Sequence, residues 1–219
     1  MIKAYAKSLT IEELANTLTH GFGLLLSIAG FVVLVVMASL HGDFWYILSS
    51  VLYGLSLVIL YGASTFYHGA THPERKNTLQ IVDHCCIYVL IAGSYTPFTL
   101  IVLRDGIGGS LFIFAWTFAI LGILAKLIFG ARYPAISVIS YLIMGWIGIL
   151  TVQPLIAAIG IAPVILVIAG GLAYSIGVIF FAWASMKHNH AIWHLFVLTG
   201  SICHFLAIAL YVIPYAVKA

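Results

Sequence analysis

Charge is what this 219-residue chain has least of. Asp, Glu, Lys and Arg together make up 7% of it, against about 25% in an ordinary soluble domain. So little charge cannot coat a water-facing surface, which excludes a soluble globular protein and leaves the bilayer as solvent. The basic residues are scattered between apolar runs and the net charge is only +3. No basic patch is available to neutralise phosphates, so nucleic acid is excluded as a partner. Cysteine is scarce as well: Cys85, Cys86 and Cys203 all fall inside apolar runs, and none forms a CxxC pair. A disulfide framework is therefore not expected. No stretch alternates with period two, which excludes a membrane β-barrel. A cleavable signal peptide is not expected either, because Lys3, Lys7, Glu12 and Glu13 precede an apolar run too long for a signal core.

What is present is apolar sequence: 63% of residues are hydrophobic and the mean hydropathy is +1.17. Seven runs stand out, at Thr17–Leu40, Phe44–Tyr67, Ile81–Leu103, Gly109–Phe129, Ala135–Val152, Ile161–Ala184 and His190–Ala216. Each suits a helix crossing ~30 Å of hydrocarbon. The fifth is short, and Gln153-Pro154 is expected to close it. Tyr95-Thr96-Pro97 is expected to kink the third. The fold class is thus all-α integral membrane, a seven-transmembrane-helix bundle forming a single domain over residues 1–219. Residues 1–16 are expected to be a short interfacial segment, with a helix capped by Ser8 or Thr10. With the N-terminus cytoplasmic, Lys3, Lys7, Arg75, Lys76, Lys126, Arg132 and Lys187 lie inside, and only Arg104 and Lys218 lie outside. Seven against two fits the positive-inside rule and places the C-terminus outside.

Ionisable groups within membrane spans are costly and mark function by default. Here they share one depth. His68 ends the second run, Asp83 and His84 open the third, and His190 and His194 open the seventh, all at the cytoplasmic side. Ser64 and His68 stack four residues apart on one helix face, as do His190 and His194. Two imidazoles at that spacing can chelate one metal, and three histidines from two helices suit zinc with an open fourth position. Zinc would lower the pKa of a water there to ~7. Asp83 would take that water's proton or orient it, and Ser64 would steady an oxyanion or the water. The plainer alternatives are histidines bonded between helices without metal, a structural zinc with Asp83 as fourth ligand, and Asp83 as a helix-N-terminal carboxylate. Glu13, Asn16 and His20 form a stripe at i, i+3 and i+7, read as packing and hydrogen bonding. His204 is read as a satisfied interior histidine, and His84 as an outlying member of the polar cluster.

Four segments carry a resemblance. They are EELANTLTH with Glu13, Asn16 and His20, ASTFYH ending at His68, VDHCCIYVLIAGSYTPF with Asp83, and HAIWHLFVLTGSICHF with His190, His194 and His204. Together the chain resembles the hemolysin III family, the bacterial branch of the progestin and adipoQ receptor group, over nearly its whole length. It looks most like the inner-membrane members. The resemblance implies a seven-helix bundle with Zn2+ near the cytoplasmic face. By motif position His68, His190 and His194 are its ligands, Asp83 is the water-holding carboxylate and Ser64 a nearby polar partner. The wider group includes alkaline ceramidases, which implies a zinc-dependent hydrolase of a lipid amide or ester, with membrane lipid as substrate and a role in lipid homeostasis. The alternatives are a non-enzymatic membrane sensor or regulator of membrane energetics with structural zinc, and a haemolytic pore. Pore-lining amphipathic helices are not evident, and the seventh run has no interior lysine for a retinal Schiff base. Nothing in the sequence fixes an oligomeric state.

Overall fold

The computed structural model describes residues 9–41 and 43–217. Among these the chain is all helix, and seven helices are long and apolar enough to cross a membrane. Helix α1 spans Ile11–His41, α2 Phe44–Gly69 and α3 Pro73–Pro97, which a π-helical turn prolongs to Val102. After α4 (Gly108–Phe129), one span is made of α5 (Pro134–Trp146), a 3-10 stretch (Ile147–Thr151) and α6 (Val152–Ile159). Helix α7 covers Ile161–Ala182, and α8 covers Asn189–Ala207 with irregular turns to Val217.

Local chemistry sets the ends. Thr10 Oγ1 accepts from the Glu13 N–H at 3.2 Å, with Glu12 and Glu13 in the first turn, as a helix N-terminus favours. Asp43 accepts from the Trp45 N–H at 2.8 Å to start α2. It also pairs with Arg104 at 3.4 Å, joining two loops of the same face. Pro73 and Pro134 sit in first turns, where a missing N–H costs nothing.

Three expectations change. The helix expected ahead of Thr17 is not separate: residues 11–16 are the first turns of α1, capped by Thr10, while Ser8 lies outside the described residues. Helix α3 begins at Pro73, so Arg75 and Lys76 are helical and Asp83 lies ten residues in, about 15 Å along the axis. Asp83 is therefore not a helix-N-terminal carboxylate. Gln153-Pro154 does not end the fifth span; the backbone tightens into 3-10 geometry and resumes as α6 with Pro154 in its opening turn.

Burial is inverted relative to a soluble protein. Leu25, Ile113, Ile128 and Leu150 face outward, while Asn16, His20, Ser64, His68, Thr96, Lys126, His194 and Ser201 are buried. The third span is the most enclosed, followed by the second and seventh, and the fifth is the least. Pro97 cannot donate to the preceding turn, and the backbone beyond it widens into the π turn, where the Leu103 N–H reaches back to Phe98 O at 2.9 Å. Helix α4 starts directly against this widened turn. A Cβ on Gly108 would run into the carbonyl of Thr99 and lie 2.7 Å from the carbonyl carbon of Leu103. Backbone cannot yield as a side chain can. Gly108→Ala is expected to destabilise the bundle by about 1–3 kcal/mol, read as a fall in melting temperature, whereas Gly109→Ala, with open space at its Cβ, leaves it unchanged.

Candidate metal centre

The structure brings His68 from the last turn of α2 to His190 and His194 in the first turns of α8. One ligand atom from each lies within 4.8 Å of the others. His68 and His194 are each 2% exposed, so both are shielded from bulk water. The ring centroids are 4.9 Å apart for His68 with either partner and 4.6 Å apart for His190 and His194.

Hydrogen bonds select which nitrogen two of the rings offer. His68 Nδ1 meets Glu13 Oε2 at 2.6 Å. A carboxylate only accepts, so Nδ1 carries the hydrogen and Nε2 is left with its lone pair. That Nε2 is buried with no hydrogen-bond partner. At His194, Nδ1 lies 3.2 Å from Thr19 Oγ1. The one hydroxyl hydrogen of Thr19 already points at the carbonyls of Ala15 and Asn16, both 2.9 Å away. Thr19 therefore accepts from His194 Nδ1, which leaves the lone pair on Nε2. An imidazole whose far nitrogen donates to a carboxylate or hydroxyl, with the near nitrogen unpartnered, is the arrangement seen behind metal-bound histidine. The residues fit a metal, and their all-nitrogen donor set fits zinc.

The surrounding atoms agree. Nine buried side-chain atoms among the described residues lack a hydrogen-bond partner. Five of them belong to this neighbourhood: His68 Nε2, both ring nitrogens of His20, Asn16 Oδ1 and Ser64 Oγ. Such groups are rare in native interiors, and their concentration in one place is compatible with a metal ion held there. His20 stacks on His194 with centroids 3.5 Å apart and planes 18° from parallel. Asp83 is 7% exposed, and Ser64 sits beside its carboxyl.

Two cavities meet at the cluster. A polar cleft of about 250 Å³ is lined by Thr10, Glu12, Glu13, Asn16, His68 and His190. A cavity of about 220 Å³ on the other side is lined by Asp83, Ser64, His20, His190 and His194, and then by apolar side chains as far as Leu103, Leu111 and Leu155. Lys126 and Leu111 both line it from α4. Their separation of fifteen residues makes it about 22 Å long, most of a ~30 Å hydrocarbon core. His190 borders both spaces.

Of the expected site residues, His68, His190 and His194 are brought together, and Asp83 and Ser64 line the same cavity as His190 and His194. Glu13, read from the sequence as packing and hydrogen bonding, bonds His68 Nδ1 and also binds Lys76 Nζ at 2.9 Å. A signal for this exists in the sequence: an acid three residues before Asn16 and seven before His20, at the depth of the histidines. Thr19 carries none, since a threonine bonding its own helix is common. His204 is a satisfied interior histidine as expected, with Nε2 3.2 Å from Val167 O.

Removing the carboxylate leaves His68 free to rotate and Lys76 unpaired. Glu13→Ala is expected to weaken zinc binding by about 10–100-fold, the usual scale for a group that orients a ligand. Titration of the purified protein against graded chelators measures it; unchanged affinity would remove Glu13 from the site.

The model for haemolysin-III related proteins matches residues 9–205. The chain is 44% identical to the Hemolysin-3 homolog of Bacillus subtilis (strain 168) over 91% of its length and 94% of that protein. It is 44% identical to Hemolysin-3 of Bacillus cereus over 94% of both. It is 31% identical to the human monocyte to macrophage differentiation factor over 90% of its own length and 83% of the other. With a match of this extent, and with the motif residues gathered at one site in a seven-helix bundle, the chain belongs to the haemolysin III family, within the progestin and adipoQ receptor group.

Proposed function

We propose that this protein is a zinc-dependent hydrolase embedded in the bacterial inner membrane, cleaving an amide or ester bond of a membrane lipid near the cytoplasmic face. The observation that carries this reading is the position of the histidine cluster, between a polar cleft and a long apolar cavity. A lipid's scissile carbonyl lies where its acyl chain meets its polar end, so its hydrolysis needs a site with this boundary.

His68, His190 and His194 hold the ion in this proposal, and Glu13 and Thr19 keep two of the rings in the required tautomer. Zinc held by these three imidazoles would supply Lewis acidity, for a carbonyl or for a water whose pKa it would bring to ~7. Asp83 takes the proton that the attacking water loses as its oxygen bonds to the carbonyl carbon. It returns that proton to the departing nitrogen or oxygen as the C–N or C–O bond breaks. Ser64, whose hydroxyl lies beside the Asp83 carboxyl, would turn it to the carbonyl oxygen as negative charge develops there. The apolar cavity holds the acyl chain and the polar cleft admits water.

A second reading, a sensor or regulator with structural zinc, draws on one observation. Glu13 ties α1 to α2 through His68 and to α3 through Lys76, and His68 meets α8 at the cluster, so an ion there joins four helices. Asp83→Asn separates the two. For a hydrolase, zinc content and melting temperature hold while turnover of lipid amides or esters drops about 10²–10⁴-fold, the contribution of a positioned general base. If Asp83 instead closes a structural shell, zinc and melting temperature fall together and the hydrolase reading is lost. In either case His190→Ala/His194→Ala is expected to abolish zinc binding, and full occupancy in that double variant would defeat the ligand assignment.

Orientation is a separate proposal: N-terminus cytoplasmic, C-terminus outside. Seven spans put the ends on opposite faces, and a reporter active only outside the cytoplasm, fused after Ala219, is expected to give signal. A silent external reporter with an active cytoplasmic one would invert the bundle.

A further inference from the structure

Lys126 plays no part in the chemistry above, and its setting is unusual. It lies in the last turn of α4, where a cation suits the helix dipole. A lysine there ordinarily extends to the polar interface. This one turns inward and is 4% exposed. Its Nζ donates to Ser137 Oγ at 3.1 Å. No carboxylate lies within 4.0 Å of it among the described residues, where the ion pairs are those of Glu13 and Asp43. A buried ammonium with a single neutral acceptor keeps two N–H donors to spare.

Its neighbours form a corner of the same apolar cavity. Lys126, Ser137, Tyr141 and His84 all line that space, from three helices. Tyr141 donates to His84 O at 3.0 Å, bracing α5 against α3. His84 Nδ1 is buried and without a partner. A covered cation with unused donors and an unpartnered imidazole nitrogen therefore share the cavity with Asp83 and Ser64, and the rest of its wall is largely hydrocarbon. A neutral lipid would leave those spare N–H donors without an acceptor.

We propose that Lys126, with His84, binds the oxyanion of an amphiphile whose acyl chain fills the cavity. The inference rests on the cavity being the lipid site of the proposed hydrolase and adds the charge of its ligand. The oxyanion is either a carboxylate, as in a fatty acid or an N-acyl amino acid, or the phosphate of a phospholipid headgroup.

Trp146 and Trp193 line the cavity, so a brominated acyl chain that enters it quenches tryptophan fluorescence. The experiment uses the full chain in detergent after metal removal, which keeps a carboxylate from being drawn to zinc. One arm compares a brominated long-chain fatty acid with its primary amide; the other compares brominated phosphatidic acid with brominated diacylglycerol. In at least one arm the anion is expected to bind about tenfold more tightly or better, the scale of one charge-assisted hydrogen bond, and the arm that responds identifies the source. Lys126→Gln removes the preference and Lys126→Arg keeps it, with melting temperature recorded for each. If the Gln variant does not fold, the wild-type comparison and the Arg variant decide. Equal binding of anion and neutral analogue in both arms overturns the proposal. So does a preference that survives Lys126→Gln, or one lost in His190→Ala/His194→Ala but not in Lys126→Gln. Turnover of neutral lipids without charge preference would leave the hydrolase standing and remove this inference. Charge-selective binding without turnover of any lipid would do the reverse.

Discussion

Hydrocarbon offers a polar group no partner, and that constraint governs this structure. Every N–H and C=O in the spans must be paired within the protein, which makes the chain helical throughout its described spans. The same constraint makes each interior ionisable group answer to another. Glu13 is the clearest case. Alone on the first turn of α1 it would be an exposed acid. Between His68 and Lys76 it becomes a two-sided clamp, with contacts at 2.6 and 2.9 Å that draw three helices together. Lys76 can play this part because α3 starts at Pro73, well ahead of its apolar run, and carries the lysine up beside the end of α2.

The clamp also has a chemical consequence. A neutral imidazole carries one hydrogen, and the group that accepts it decides which nitrogen remains as a donor of electrons. Glu13 and Thr19 each make that decision from α1 for a histidine on another helix. The first helix supplies none of the three clustered histidines, yet it sets the chemical character of two of them. His20 adds a third contact from the same helix, stacked flat on His194. This is why the stripe on α1 is polar although no member of it belongs to the three-histidine cluster.

Much of this is legible in the sequence, for identifiable reasons. Apolar length announces a membrane helix without ambiguity, and histidines four apart on a helix must share a face. The depth of His68, Asp83, His190 and His194 can be counted from the ends of apolar runs, so their convergence follows. Helix starts are less legible, because a helix that protrudes from the membrane has polar turns that read as loop; residues 11–16 and Pro73–Gln80 are both of this kind. Pro154 misleads in the opposite sense, since a proline in the first turn after a 3-10 stretch breaks nothing. Partners across helices are the least legible. That Glu13 reaches His68, fifty-five residues away, depends on the rotation of α1 about its axis, which no local pattern encodes. In sequence Lys126 is one more cytoplasmic charge, and only packing reveals that it turns inward.

The two cavities give these details a common direction. A hydrolase of lipids has to bring together water, which the membrane excludes, and an acyl chain, which water excludes. A single open site would let lipid into the polar side or water along the chain. Here the histidine cluster stands in the wall between the two spaces, and His190 belongs to both linings. Asp83 and Ser64 lie on the apolar side of that wall, where a carboxylate is poorly solvated. In the hydrolase proposed above, a base in such a place is compensated for its desolvation only if a proton is delivered to it there. An attacking water that enters from the cleft and loses its proton toward the cavity would deliver it across the wall, to the one carboxylate among the residues that line the chain's side.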